Sequence, residues 1–310
     1  MPAAPRGLMS RTLARTARSI ARNVLPPGVV KLVRATTRRI RRAEMPDWEY
    51  LPGGWPDESK HLRGWDSESV ASTQLSRWAA FVDSANGADP FGRSHESAVA
   101  DLDYALHNTV MSFAYVLARA AYKRDRLSVL DWGGGIGHYY VYARALMPDL
   151  VLDYTCFDLP SLAEGGRSVL PQVSFPTSEE AALSRRYDLV VASSSLQYSQ
   201  DWRAKLAGLA NVCDGYVYVT RQPFVQHAPS FVVVQHPYRH GYATEYPGWF
   251  LNEGEFLGFA VELGLTLVRE FLIQERPPVP NAPEQADYRG FLFVAPQPAG
   301  GESGQSRPRA

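Results

Sequence analysis

The sequence predicts a doubly wound α/β fold, with a mostly parallel sheet, an antiparallel last strand and a small helical cap region in front. Three observations carry that expectation. Beyond about residue 125, short apolar runs alternate with stretches of helical periodicity, the pattern of a parallel sheet with helices on both faces. Before it, apolar residues recur mostly at threes and fours, which is helical spacing. Near the end, two apolar runs are joined by a proline-rich link rather than a helix, which suits antiparallel neighbours because parallel ones need a longer crossover.

Taken in order, residues 1–44 read as a basic arm in two amphipathic helical pieces divided by Leu25, Pro26, Pro27 and Gly28. The arm holds eleven Lys/Arg against the single acid Glu44. Such a stretch can lie on an anionic membrane surface, or be a solvated tail, a transit peptide or a nucleic-acid arm. Residues 45–124 form the expected cap, with one helix through Val70–Ser84 and a second pattern from about Ser94 to Tyr122. Residues 125–296 form the main domain. Its expected strands are Leu127–Leu130, Leu152–Phe157, Val173–Phe175, Leu189–Ala192, Tyr216–Thr220, Leu265–Ile273 and Gly290–Ala295. Expected helices are Tyr139–Leu146, Leu162–Val169 and Trp202–Val212. An aromatic insertion at about 222–256 interrupts the domain, and 297–310 has the composition of a disordered tail.

Composition narrows the function classes. The chain has 310 residues, 45% hydrophobic and 21% charged, enough for one sizeable core. Formal net charge is zero, so the basic arm is balanced by an acidic body. Cys156 and Cys213 are the only cysteines and sit in apolar stretches, which provides neither a disulfide framework nor a zinc ligand set. No metal site and no specific nucleic-acid partner are expected. No apolar run approaches a membrane span, and no signal peptide is recognisable. A cytoplasmic chain, with peripheral membrane contact through the arm, is the resulting expectation.

Chemistry concentrates in Val129-Leu130-Asp131-Trp132-Gly133-Gly134-Gly135-Ile136-Gly137-His138. A strand delivers Asp131 at its carboxyl end, a glycine turn follows, and a helix begins near Tyr139. Open parallel sheets bind ligands at the carboxyl ends of their strands, and glycines let the backbone turn tightly and approach a ligand closely. A dinucleotide fingerprint would need a small residue where His138 or Tyr140 stands. Asp131 would repel a pyrophosphate, and the Lys-Ser/Thr ending of a P-loop is missing. A cationic ligand suits the segment better.

With Asp131, Gly133, Gly135 and Gly137 in register, the segment resembles the Asp-x-Gly-x-Gly-x-Gly signature of class I S-adenosylmethionine methyltransferases, a Rossmann-like superfamily. The resemblance implies that Asp131 sits near the methionine ammonium group and that the glycines pack under the cofactor. Tyr154-Thr155-Cys156-Phe157-Asp158-Leu159-Pro160 puts a second acid at a strand end roughly 20 residues further on, where a carboxylate can accept both ribose hydroxyl protons. Leu159 joins it as a cofactor contact. At the end of the next strand, Ser193 and Ser195 are candidate cofactor contacts and Gln197 and Tyr198 candidate acceptor contacts. The serines could equally cap a helix.

In the insertion, Gln235, Tyr246, Pro247 and Trp249 resemble a bacterial group of methyltransferases associated with surface-polysaccharide biosynthesis, over roughly Trp48 to the last strand. The resemblance makes Gln235, Tyr246 and Trp249 acceptor contacts. His227, His236 and His240 are the candidate bases, one of them at most, for removing a proton from a hydroxyl. The expected activity is therefore S-adenosylmethionine-dependent O-methylation of a sugar, glycan or small-molecule hydroxyl. Two alternatives stay open: a nicotinamide-dependent oxidoreductase on a similar sheet, and a non-catalytic cofactor-binding or scaffold protein.

Overall fold

A computed structural model describes residues 46–57, 64–91 and 103–296. The basic arm over 1–44 and the tail over 297–310 lie outside the described residues. Among the described residues nine strands form one mixed sheet. They are β1 (Trp48–Leu51), β2 (Arg126–Trp132), β3 (Val151–Phe157), β4 (Tyr187–Ser193), β5 (Cys213–Val225), β6 (Phe231–Gln235), β7 (Tyr246–Asn252), β8 (Thr266–Leu272) and β9 (Asp287–Val294). The helices are α1 (Glu68–Asn86), α2 (Tyr104–Ala120), α3 (His138–Leu146), α4 (Pro160–Val169), the single turn α5 (Glu179–Ala182), α6 (Trp202–Asn211) and α7 (Glu253–Glu262).

The centre is parallel, in the order β3-β2-β4-β5, and β9 lies antiparallel between β5 and β8. This is the α/β architecture expected, including the antiparallel last strand. Its central strands carry uninterrupted apolar runs, Leu189–Ala192 and Tyr216–Val219, where both faces are covered. Alternation divides them between two cores. Val129, Leu189, Val191, Tyr216 and Tyr218 point to the side of α2 and α3, where Phe113 and Leu117 meet them. Leu130, Val190, Ala192, Val217 and Val219 point to the side of α6 and α7, against Leu206, Leu209 and Phe256. Asp103 starts α2 by accepting from the amides of Ala105 and Leu106 at 2.9 and 3.2 Å, satisfying donors that the helix cannot.

Several expectations need correction. Val173–Phe175 is no strand; it makes an isolated bridge from Ser174 to Thr155, since Pro171 and Pro176 flank it and cannot extend a ladder. The region expected to be a helical cap opens with a strand, as β1 pairs antiparallel with β6. The aromatic insertion is largely sheet. β5 runs on past the end of β4, and β7 pairs with its last residues, Phe224 and Val225, along the edge that β4 no longer covers. β6 and β1 follow outward. Trp48, Phe231, Val233 and Phe250 form the core of this extension. No helix among the described residues is long and apolar enough to cross a membrane.

Candidate functional site

A cavity of about 410 Å³ opens at the carboxyl ends of β2, β3 and β4, and Gly133, Gly134, Gly135, Phe157, Asp158, Leu159, Ser193, Ser194 and Ser195 all line it. The glycine turn is bound to the neighbouring strand, because the amide of Gly133 donates to the Phe157 carbonyl at 2.7 Å. Gly133 and Gly135 have left-handed φ angles of 73° and 62°, a conformation that side chains disfavour. Space is short as well. A Cβ on Gly133 would collide with the Ser195 side chain, and one on Gly134 with the Asp131 carboxylate. Gly137, also left-handed, lies off the cavity, where a Cβ would meet Leu170. Its part is to seat α3 rather than to face a ligand.

The two acids differ in position. Asp158 stands partly open to the cavity; its Oδ2 accepts from the Gly135 amide and its Oδ1 from the Leu159 amide, each at 2.7 Å. Burial pushes its pKa up to about 6 against the pull of those amides, and the charge of Asp66 adds to the rise. Asp131 is wholly buried at 0% exposure and is not part of the cavity wall. Its Oδ2 accepts from the Tyr154 hydroxyl at 3.0 Å, while Oδ1 is enclosed without a partner. Burial raises its pKa to about 7, opposed by the Tyr154 hydrogen bond and reinforced by the charge of Asp158. The expectation that Asp131 faces an ammonium group is therefore corrected: its carboxylate lies beneath the glycine turn.

The expected serines are on the wall. Ser193 Oγ shares a hydrogen bond with the Tyr139 hydroxyl at 2.8 Å, and Ser195 Oγ donates to the Trp132 carbonyl at 3.0 Å. Both are held by the fold rather than by capping a helix. Of the expected acceptor contacts, Tyr198 and Tyr246 line the cavity. Gln235 lies behind Tyr198, accepting its hydroxyl proton at 2.6 Å. Gln197 is fully buried and turns its amide onto Ser194 Oγ at 3.1 Å. Trp249 is off the wall, stacked on Trp55 with ring centroids 5.7 Å apart.

The three candidate bases are not in the cavity. His227 is exposed beyond the end of β5. His236 is buried between Glu49 and Glu245, with nitrogen–oxygen distances of 3.2 and 3.3 Å. His240 lies in a single 3-10 turn, where its carbonyl accepts from Arg77 at 3.3 Å. Among the described histidines only His138 lines the cavity, its ring edge-on to Phe81 and Trp78 at 4.7 and 5.4 Å.

Sequence reasoning also missed Trp55, Trp65, Gln74, Tyr139 and Arg221, all on the wall. Trp65 stacks on Tyr246 with centroids 4.2 Å apart, and Tyr198 meets both rings edge-on. Arg221 has a left-handed φ of 49° at a bulge in β5 and reaches Glu275 at 3.3 Å. Ser194 is left-handed too. Non-glycine residues held in that region cluster at ligand sites, and this signal exists only in three dimensions.

With this geometry in view, residues 105–252, a little under half of the chain, match a family model described as a methyltransferase domain. Particular solved structures follow. Magnesium protoporphyrin IX methyltransferase from Synechocystis PCC 6803 with bound SAM is 14% identical, with 75% of this chain and 99% of that one covered and a TM-score of 0.43. A Burkholderia thailandensis 1,6-didemethyltoxoflavin-N1-methyltransferase, with its substrate and S-adenosylhomocysteine bound, is 17% identical over 79% and 93% of the two chains, with a TM-score of 0.42. An O-methyltransferase family protein from the same organism is 14% identical over 74% and 72%, with a TM-score of 0.41. No curated protein matches the chain. At these identities and TM-scores, activity has to be read from the chain's own residues.

Proposed function

We infer that this chain is an S-adenosylmethionine-dependent methyltransferase acting on a hydroxyl of a sugar, glycan or small molecule. The observation that carries the reading is the pairing of Asp158 with the Cβ-free turn Gly133–Gly135 on one wall of the cavity. A carboxylate at that strand end suits the two hydroxyl donors of a ribose. The turn leaves room where side chains would collide. Buried acids beneath and beside it disfavour a phosphate ligand and suit a cationic one.

When bound, the donor supplies a methyl group already activated as a sulfonium. Asp158 would hold its ribose, and Phe157, Leu159 and Leu162 offer apolar surface for its base. The protein's remaining work is to align acceptor and methyl and to exclude water, for which positioning alone can lower a barrier substantially. Trp55, Trp65, Tyr198 and Tyr246 also line the cavity, with Trp65 stacked on Tyr246 and Tyr198 edge-on to both. Such aromatic surface fits the apolar face of a sugar ring or a planar small molecule. His138, which lines the cavity, takes the place of the three expected histidines as the candidate in this reading for taking a hydroxyl proton.

The test is direct. Thermal shift with S-adenosylmethionine, S-adenosylhomocysteine and NAD should show stabilisation by the first two only. Labelled methyl should then appear on oxygen when a panel of glycans, lipids and phenols is supplied. Stabilisation by NAD alone would replace the reading with the oxidoreductase one.

A further inference from the structure

The segment before the matched domain supplies part of the cavity wall, and one polar residue in it buries an atom that has no hydrogen-bond partner. Along α1 the inward face is Val70, Ala71, Gln74, Phe81 and Ala85, an apolar stripe at helical spacing broken by a single glutamine. Val70 and Ala71 pack on Ile136 and Leu162 and fix the helix against the glycine turn and α4. Gln74 is only 5% exposed, lies on the cavity wall, and encloses an Oε1 that has no hydrogen-bond partner. An ideal Cβ on Gly135 would stand 3.2 Å from that oxygen and 3.8 Å from Nε2. The carboxamide is therefore laid over the turn that the donor must approach.

Buried polar groups are normally satisfied, so a partner that arrives with a ligand is the natural complement. A carboxamide offers one acceptor and two donors in a single plane. An amino-acid end with its ammonium and carboxylate groups presents the matching donors and acceptors. Asp131 cannot meet that ammonium, since its carboxylate is sealed beneath Gly134. We propose that Gln74 reads the amino-acid end of the methyl donor from the helix preceding the matched domain. This rests on the methyltransferase reading above.

Two ligands separate the claims. S-adenosylhomocysteine carries the amino-acid end; 5′-methylthioadenosine has the same thioether nucleoside without it. Titration calorimetry on the full chain compares both against the wild type and Gln74→Leu. The substitution should weaken S-adenosylhomocysteine by about 10-fold or more, the scale of one lost hydrogen bond to a charged group, and leave 5′-methylthioadenosine within about 2-fold. Should Gln74→Leu fail to fold, Gln74→Ala adds no volume and is measured in the same way. Equal loss for both ligands, or loss for neither, overturns the inference while leaving the methyltransferase reading intact. A wild-type chain that binds neither ligand overturns that reading itself.

Discussion

The Asp158 carboxylate accepts the Gly135 amide proton at 2.7 Å, tying the tip of β3 to the turn that leaves β2. One side chain thus shapes the turn and presents charge to the cavity. Asp158→Asn should weaken S-adenosylhomocysteine by roughly 10- to 100-fold, as expected when charge-assisted hydrogen bonds are replaced by neutral ones. Calorimetry with the variant checks this; unchanged affinity would remove Asp158 from the ribose.

The same residue sets a pH dependence. Its pKa is about 6 in the free protein, and the ionised form is the one that accepts two hydroxyl protons. Donor affinity should therefore fall as pH drops below about 6, by up to tenfold per pH unit if the protonated form does not bind. Asp158→Asn should flatten that profile.

Asp131 predicts an effect on stability. Its pKa is raised to about 7 by burial, so the folded chain holds this proton more tightly than the unfolded one. The stabilisation is complete below the unfolded pKa, ordinarily near 4, and is lost as pH rises through about 7. Between pH 5 and 8, Asp131→Asn should gain on the wild type by about 2–3 kcal/mol. Urea denaturation at the two pH values reads the difference; a constant offset would contradict it.

Proton abstraction separates the histidines. His227→Ala should leave methyl transfer within about 2-fold, because the residue is exposed and off the wall. His138→Gln should lower kcat by about 100-fold or more, the usual contribution of a general base. Its Nδ1 lies 3.7 Å from where a Cβ of Gly135 would stand, so donor affinity is measured alongside and the loss in kcat must exceed any loss in binding. Activity surviving His138→Gln would leave alignment alone to account for the rate.

Gly134→Ala should cost donor binding and stability together, since the new methyl would collide with the buried Asp131 carboxylate. Overpacking of this kind typically costs about 1–3 kcal/mol, readable as a fall in the denaturation midpoint.

The parallel centre was legible because both of its faces are buried. Leu189–Ala192 and Tyr216–Val219 are hydrophobic without interruption, so their nature shows in a short window. The glycine turn and the two acids were legible because backbone geometry demands particular residue types there. The antiparallel extension was not. Phe231–Gln235 and Tyr246–Asn252 become strands by pairing with each other, with β1 and with the overhang of β5, and none of these partners is visible locally. The site divides in the same way. Asp158, Ser193 and Ser195 follow from strand ends, whereas Gln74, Trp55 and Trp65 reach the cavity only through tertiary packing. The histidines misled for a related reason. A loop rich in His and Tyr looks chemical in one dimension, yet His236 is buried beside Glu49 and Glu245, away from the cavity.

β1 and β6 are neighbours in the sheet, though about 180 residues of chain lie between them. During synthesis Trp48 and Tyr50 therefore emerge from the ribosome long before the strand they will join. Contacts of such long range are slow to form, so the pocket's aromatic side would be among the last parts to assemble. A fragment cut to residues 105–252 would carry the glycine turn but lack Trp55, Trp65 and Gln74.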